Sequence, residues 1–149
     1  KKNFSCDLET SNRQLPEFWG ECWTDKTMLE LFERNPKEGI FGDALLGLCL
    51  SEIPQANEFV YAIGMMYDGG PVAEELSVEK IPAHTWAVFE CVGPIPEAFQ
   101  KMQHTVYSEF FPSSEYQPSS GLDIQVYPTG DMQSDKYVCQ LWIPIEKNL

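Results

Sequence analysis

The chain has 149 residues, 43% of them hydrophobic and 13% aromatic, which suits one ordinary domain over 1–149, and no apolar run approaches the about 20 residues of a membrane helix. Its 23 acidic and 10 basic residues give a net charge of −13, which argues against a direct nucleic-acid partner, because gripping a phosphate backbone relies on Lys and Arg. Cys6, Cys22, Cys49, Cys91 and Cys139 are odd in number, form no C-x-x-C pair and sit mostly among apolar residues, so they read as free thiols of a soluble, cytoplasmic protein without a secretory leader.

Ser11-Asn12-Arg13-Gln14 has capping-box spacing, and Leu15, Phe18, Trp19 and Cys22 follow at helical intervals with Pro16 in the first turn. A helix is predicted to start there. Thr24 to Thr27 interrupts it, Met28, Leu29, Leu31 and Phe32 resume an apolar face, and Asn35-Pro36 ends it. Runs at Ile40–Leu50 and Phe59–Tyr67, joined around Pro54-Gln55-Ala56-Asn57, predict a hairpin. An Asp68-Gly69-Gly70-Pro71 turn leads to strand-like runs at Leu76–Ile81 and Thr85–Val92, punctuated by Pro82. Ile95, Phe99, Met102, Val106 and Phe110 predict a helix over Pro96–Phe110. Ser113 to Gly121 reads as a surface loop, and strands follow at Leu122–Tyr127 and Lys136–Ile145.

The order strand, helix, strand, strand thus occurs twice. Phe59-Val60-Tyr61-Ala62-Ile63-Gly64 can be laid over Tyr137-Val138-Cys139-Gln140-Leu141-Trp142, so that small Ala62 and Gly64 stand opposite larger Gln140 and Trp142 and leave room for a cleft between halves. Alternation puts Val138, Gln140 and Trp142 on one face of the last strand and Cys139, Leu141 and Ile143 on the other. A side-chain amide in the middle of so apolar a strand must find hydrogen-bond partners or face a cavity.

Ile81 to Pro94, the run ending Tyr107-Ser108-Glu109-Phe110-Phe111-Pro112-Ser113-Ser114, Asp123 to Pro128, and Tyr137 to Ile145 succeed one another as in the GyrI-like small-molecule-binding domain, which the chain closely resembles. That domain is the effector-binding part of many AraC-type and multidrug-responsive transcription regulators. The resemblance is dense over 81–146 and looser over 8–67. It implies an α+β fold of two pseudo-symmetric strand-helix-strand-strand halves, about 1–75 and 76–149, with antiparallel sheets enclosing a central cleft.

The resemblance also implies a hydrophobic, drug-like aromatic ligand, which many members take as a cation on a buried glutamate. Here that position is Gln140, which keeps an acceptor oxygen, adds an NH₂ donor and lacks the charge, so a neutral ligand becomes the better expectation. Phe18, Trp19, Tyr61, Trp86, Phe110 and Trp142 are the candidate aromatic walls.

Two other roles known in the family are an inhibitory contact with DNA gyrase or another protein partner, and hydrolysis of strained electrophiles. Gln140 cannot serve as the base of the hydrolases, and the carboxylates considered in its place are Glu90 and Asp123. His84 and His104 belong to no triad pattern, and neither a metal-spaced cluster nor a cofactor fingerprint is visible. The reading is therefore a stand-alone binding domain rather than an enzyme, its oligomeric state open.

Overall fold

The computed structural model describes residues 1–35, 38–67, 69–72 and 74–149; Pro36 and Asp68, expected to end a helix and to open a turn, lie outside the described residues. The elements are β1 (Lys2–Ser5), α1 (Leu8–Thr24), α2 (Thr27–Arg34), β2 (Leu45–Ile53), β3 (Glu58–Gly64), β4 (Trp86–Val92), α3 (Glu97–Thr105), β5 (Tyr116–Pro118), β6 (Asp123–Tyr127) and β7 (Val138–Lys147). A π-helical turn over Val106–Phe110 and a last turn at Phe111–Ser113 extend α3. Six strands form one antiparallel, open sheet in the order β1-β3-β2-β6-β7-β4, and β5 pairs with the far end of β7.

Helix α1 starts three residues before the expected capping box. The Asp7 carboxylate accepts the Thr10 N–H at 3.0 Å, so Asp7 is the cap and Ser11 is a buried residue of the second turn. Pro16 consequently falls in the helix interior, where it has no N–H for the carbonyl of Asn12. Strand β2 begins at Leu45 rather than Ile40, because Gly39 and Gly42 take positive φ angles of 97° and 56° in a turn just before it.

The run Leu76–Ile81 is not a strand. Neither alternating set within it is wholly apolar, Val78 is half exposed, and β4 occupies the place beside β7. The loop expected over Ser113–Gly121 contains β5, whose Tyr116 and Pro118 register with Lys147 and Ile145.

The doubling holds in the register itself. Gly47 pairs with Gln125 across the central β2/β6 ladder, Leu48 pairs with Ala62, and Val126 pairs with Gln140. Moving from Gly47 to Gln125, from Leu48 to Val126 and from Ala62 to Gln140 is the same offset of 78 residues each time, so the two halves meet about a pseudo-twofold axis at the Gly47–Gln125 pair. The overlay of Ala62 on Gln140 and of Gly64 on Trp142 is therefore the structural one.

Strand alternation gives the sheet two unlike faces. One carries Phe4, Leu45, Tyr61, Cys91, Tyr127, Cys139, Leu141 and Ile143 and forms the main core with Phe18 and Cys22 of α1, Met28 of α2, Phe99 of α3 and Val106 and Phe111 beyond it. The other carries a buried aliphatic floor of Leu46, Leu48, Ala62, Ile124 and Val126 with Ala44. Among the described residues its cover is not a helix but Phe41, Leu50, Ile81, Trp86 and Trp142. No helix among the described residues is long and apolar enough to cross a membrane.

Candidate ligand sites on the two faces of the sheet

On the helix-free face, β7 presents Gln140 and Trp142 to the same side, and β4 presents Trp86, Val88 and Glu90 beside them. The Trp142 indole N–H donates to Gln140 Oε1 at 3.0 Å, which satisfies the amide oxygen and leaves the NH₂. The Trp142 ring meets Phe41 edge-on at 5.1 Å and Trp86 at 6.0 Å, and His84 stands edge-on to Trp86 at 5.4 Å. These are favourable aromatic geometries, each contributing about 0.5–1.5 kcal/mol beyond area burial. Trp86, Trp142, Phe41 and His84 are only partly buried, and Phe41, Ile81 and His84 belong to no strand or helix. Phe41, Ile81 and His84 can therefore give way to a flat ligand over the aliphatic floor without breaking a strand ladder.

Of the two carboxylates considered as substitutes for a glutamate at 140, Glu90 is the cross-strand neighbour of Gln140 on this face and is exposed. Asp123 is on the opposite, helix-covered face, opposite Cys49. Burial, offset only in part by contacts with Cys49, pushes the Asp123 carboxyl up to about 7, and its Oδ1 has no hydrogen-bond partner.

That helix-covered face has a cleft of its own, about 300 Å³, between α1 and α3 and over the centre of the sheet. Its floor is a hydrogen-bonded chain. Trp19 Nε1–H donates to Tyr61 Oη at 3.1 Å, Tyr61 Oη–H donates to Gln125 Oε1 at 2.8 Å, and Tyr127 Oη–H donates to the same Oε1 at 3.1 Å. Burial raises both tyrosine hydroxyls well above their ordinary range, so they remain donors. Tyr127 lies between Trp19 of α1, at 5.4 Å, and Phe99 of α3, at 5.9 Å.

Gly47 makes this arrangement possible. A Cβ there would collide with Tyr61 Oη and lie 2.6 Å from Gln125 Oε1. The α1 wall of the cleft includes Asn12, Pro16 and Gly20, successive at four-residue spacing, and a Cβ at Gly20 would meet no atom within 4 Å. Pro and Gly inside a helix are less favourable than Ala by about 3 and about 1 kcal/mol, so Pro16 and Gly20 are two poor helix formers in a wall that also includes Leu15, Trp19 and Trp23.

A sequence profile of the Cass2 family, described as integron-associated effector binding protein, matches residues 3–145. The chain belongs to the Cass2 family. Its fold is the GyrI-like effector-binding one that the order of motifs implied. Among solved structures it is similar to SAV2435 bound to tetraphenylphosphonium, with a TM-score of 0.82 and 22% identity over 97% of this chain and 84% of that one. It is also similar to a Staphylococcus aureus MU50 protein assigned to bacterial transcription regulation, with a TM-score of 0.74 and 20% identity over 97% and 88% of the two chains. No curated protein matches the sequence.

Within this Cass2 member the seven aromatic and amide residues singled out in the sequence do not converge. Gln140, Trp142 and Trp86 come together on the helix-free face, while Trp19 and Tyr61 line the cleft on the other. Phe18 is buried beneath α1, 5.5 Å from Phe4 and 6.5 Å from Tyr61, and has no part in either cluster. Phe110 is on the helix-covered side at the β4 edge, 5.0 Å from Phe89 and partly exposed. Sequence reasoning missed Gln125, although the signal that flagged Gln140, an amide inside an apolar strand, is present in Ile124-Gln125-Val126. It also missed Phe41, because the predicted strand absorbed the turn that carries it.

Proposed function

We propose that this chain is a sensor or sequestering protein that binds a hydrophobic aromatic small molecule on the helix-free face, at Gln140, Trp142 and Trp86. The observation that carries the reading is the meeting of three partly buried rings, Phe41, Trp86 and Trp142, with one amide over an aliphatic floor, where Phe41 and Ile81 of the cover come from irregular segments. Membership in an effector-binding family supports it, as does a fold-mate solved with tetraphenylphosphonium, an aromatic cation.

With Gln140 in the strand centre and Glu90 beside it in solvent, a cation is held by ring faces, at about 0.5–2 kcal/mol each, and by an exposed carboxylate contributing about 0.2–1 kcal/mol. Neutral aromatic ligands of the same shape therefore bind comparably. The hydrolase alternative loses support, since neither exposed Glu90 nor Asp123 on the far face takes the place of a buried base at position 140.

The test is a tryptophan-fluorescence titration with tetraphenylphosphonium and with neutral triphenylphosphine oxide, on the natural chain, Trp142→Ala and Gln140→Glu. The expected result is saturable binding of both by the natural chain, at least tenfold weaker in Trp142→Ala, with the cation alone gaining affinity in Gln140→Glu. Binding that is unchanged in both variants would remove the site from this face.

A further inference from the structure

We infer that the groove at the β1 end of the helix-free face is a further binding site, for a small organic acid with an apolar body and one carboxylate. The groove has a volume of about 560 Å³. It shares Leu50 and Ile81 with the cover of the aliphatic floor but includes none of Gln140, Trp86 and Trp142, so it is distinct from the site proposed above. An irregularity of β2 shapes its floor. Cys49 registers with Tyr61 and Ser51 with Val60, so one extra residue, Leu50, is inserted between them. The bulge breaks the alternation and brings two successive residues, apolar Leu50 and hydroxyl-bearing Ser51, to the same groove. Val60 and buried Leu122 complete the apolar floor, and Ile81 and Pro82 add apolar surface from the segment before β4.

The charged residues of the groove decide the sign of the ligand. Lys1, Glu79 and Lys80 line it, two cations against one anion, in a chain with 23 acidic and 10 basic residues. Lys1 Nζ donates to Glu79 Oε1 at 2.6 Å, which occupies the one carboxylate that lines the groove among the described residues. Lys80 has no ion-pair partner among the described residues. An ammonium beside an apolar floor suits an amphipathic anion, whose body leaves water on Leu50, Val60 and Leu122 while its carboxylate meets Lys80. Exposed Asn3 and Ser51 add hydrogen-bond donors for the second carboxylate oxygen. The net charge of −13 acts only weakly on such a ligand at physiological salt, where charges more than about 8 Å away are screened and the local excess of cations dominates. The volume falls within the range of small-molecule clefts and accommodates about two or three rings.

The test uses three molecules of similar shape: 2-naphthylacetate, neutral 2-naphthylacetamide and the cation 2-(2-naphthyl)ethylammonium. Binding to the full chain is followed by ¹⁵N–¹H NMR at about 0.15 M salt. The acid is expected to shift the backbone amides of Ser51, Val60 and Ile81 and to bind about two- to tenfold more tightly than the amide, with the cation weakest. Lys80→Gln, a change at an exposed position, should erase the preference for the acid over the amide, and Lys80→Glu should make the cation the tighter ligand of the two charged ones. Ser51→Trp fills the groove from an exposed strand position with a residue that strands favour, and should abolish binding of all three without lowering the melting temperature. Trp142→Ala should leave binding of the acid unchanged while weakening that of tetraphenylphosphonium, so the two sites stand or fall separately. Absence of saturable acid binding, an acid no tighter than the amide, shifts centred on the Trp142 or Trp19 indole in place of Ser51 and Val60, or acid binding that survives Ser51→Trp would each overturn the inference.

Discussion

Asp123→Asn tests the electrostatics of the helix-covered face. In the folded chain the Asp123 carboxyl titrates near 7, raised by burial from the ordinary value of 3.8, so between those two values the folded state holds a proton that the unfolded chain releases. The stability due to the neutral acid is complete below the unfolded value and is lost as pH rises through about 7. The interval from 3.8 to about 7, at about 1.4 kcal/mol per pH unit, comes to about 4 kcal/mol, of which about 2–3 kcal/mol falls between pH 5 and pH 8. Asparagine keeps the shape and removes the titration. Urea unfolding of both proteins at several pH values is the assay. The variant is expected to gain about 2–3 kcal/mol over the natural chain between pH 5 and pH 8, whatever the offset between them at low pH. Two stability profiles running parallel across that range would refute the argument, because the charged form of Asp123 would then cost the folded state nothing.

Gly47→Ala should destabilise by about 2–4 kcal/mol in the same assay, since the new methyl displaces Tyr61 Oη and Gln125 Oε1 from their shared bond; a loss under about 0.5 kcal/mol would contradict the contact. Pro16→Ala should raise the melting temperature by several degrees by restoring a helical N–H in the interior of α1, and no rise would mean the helix is already accommodated to the gap. In native buffer a thiol reagent should label Cys6 rapidly, with buried Cys22, Cys91 and Cys139 reacting only on unfolding. Rapid labelling of more than two thiols would show that the core opens readily.

The doubled plan was legible because it is written in strand patterns: two apolar runs of period two, with matching small and large residues, gave an overlay whose 78-residue offset the ladders reproduce. Elements fixed by one side chain were harder to see. The start of α1 depends on a single aspartate accepting from Thr10, and a better-looking capping box three residues later concealed it. Leu76–Ile81 has strand-like composition, but neither of its alternating sets is wholly apolar, so it has no face to bury against the sheet. The candidate site was half legible for a related reason. Alternation showed that Gln140 and Trp142 share a face, but it could not tell which face the helices cover, and so Trp19 and Tyr61 were grouped with residues on the other side of the sheet.

The pairing of Gly47 with Gln125 on the pseudo-twofold axis has a consequence for what a duplicated fold can hold at its centre. Two identical halves meeting there would bring either two glycines, with no polar group, or two glutamines competing for one space. Only unlike halves can place a single, oriented amide on the axis and surround it with rings from both. The joined chain can thus carry at its midpoint a directional group that a symmetric pair of either half cannot present.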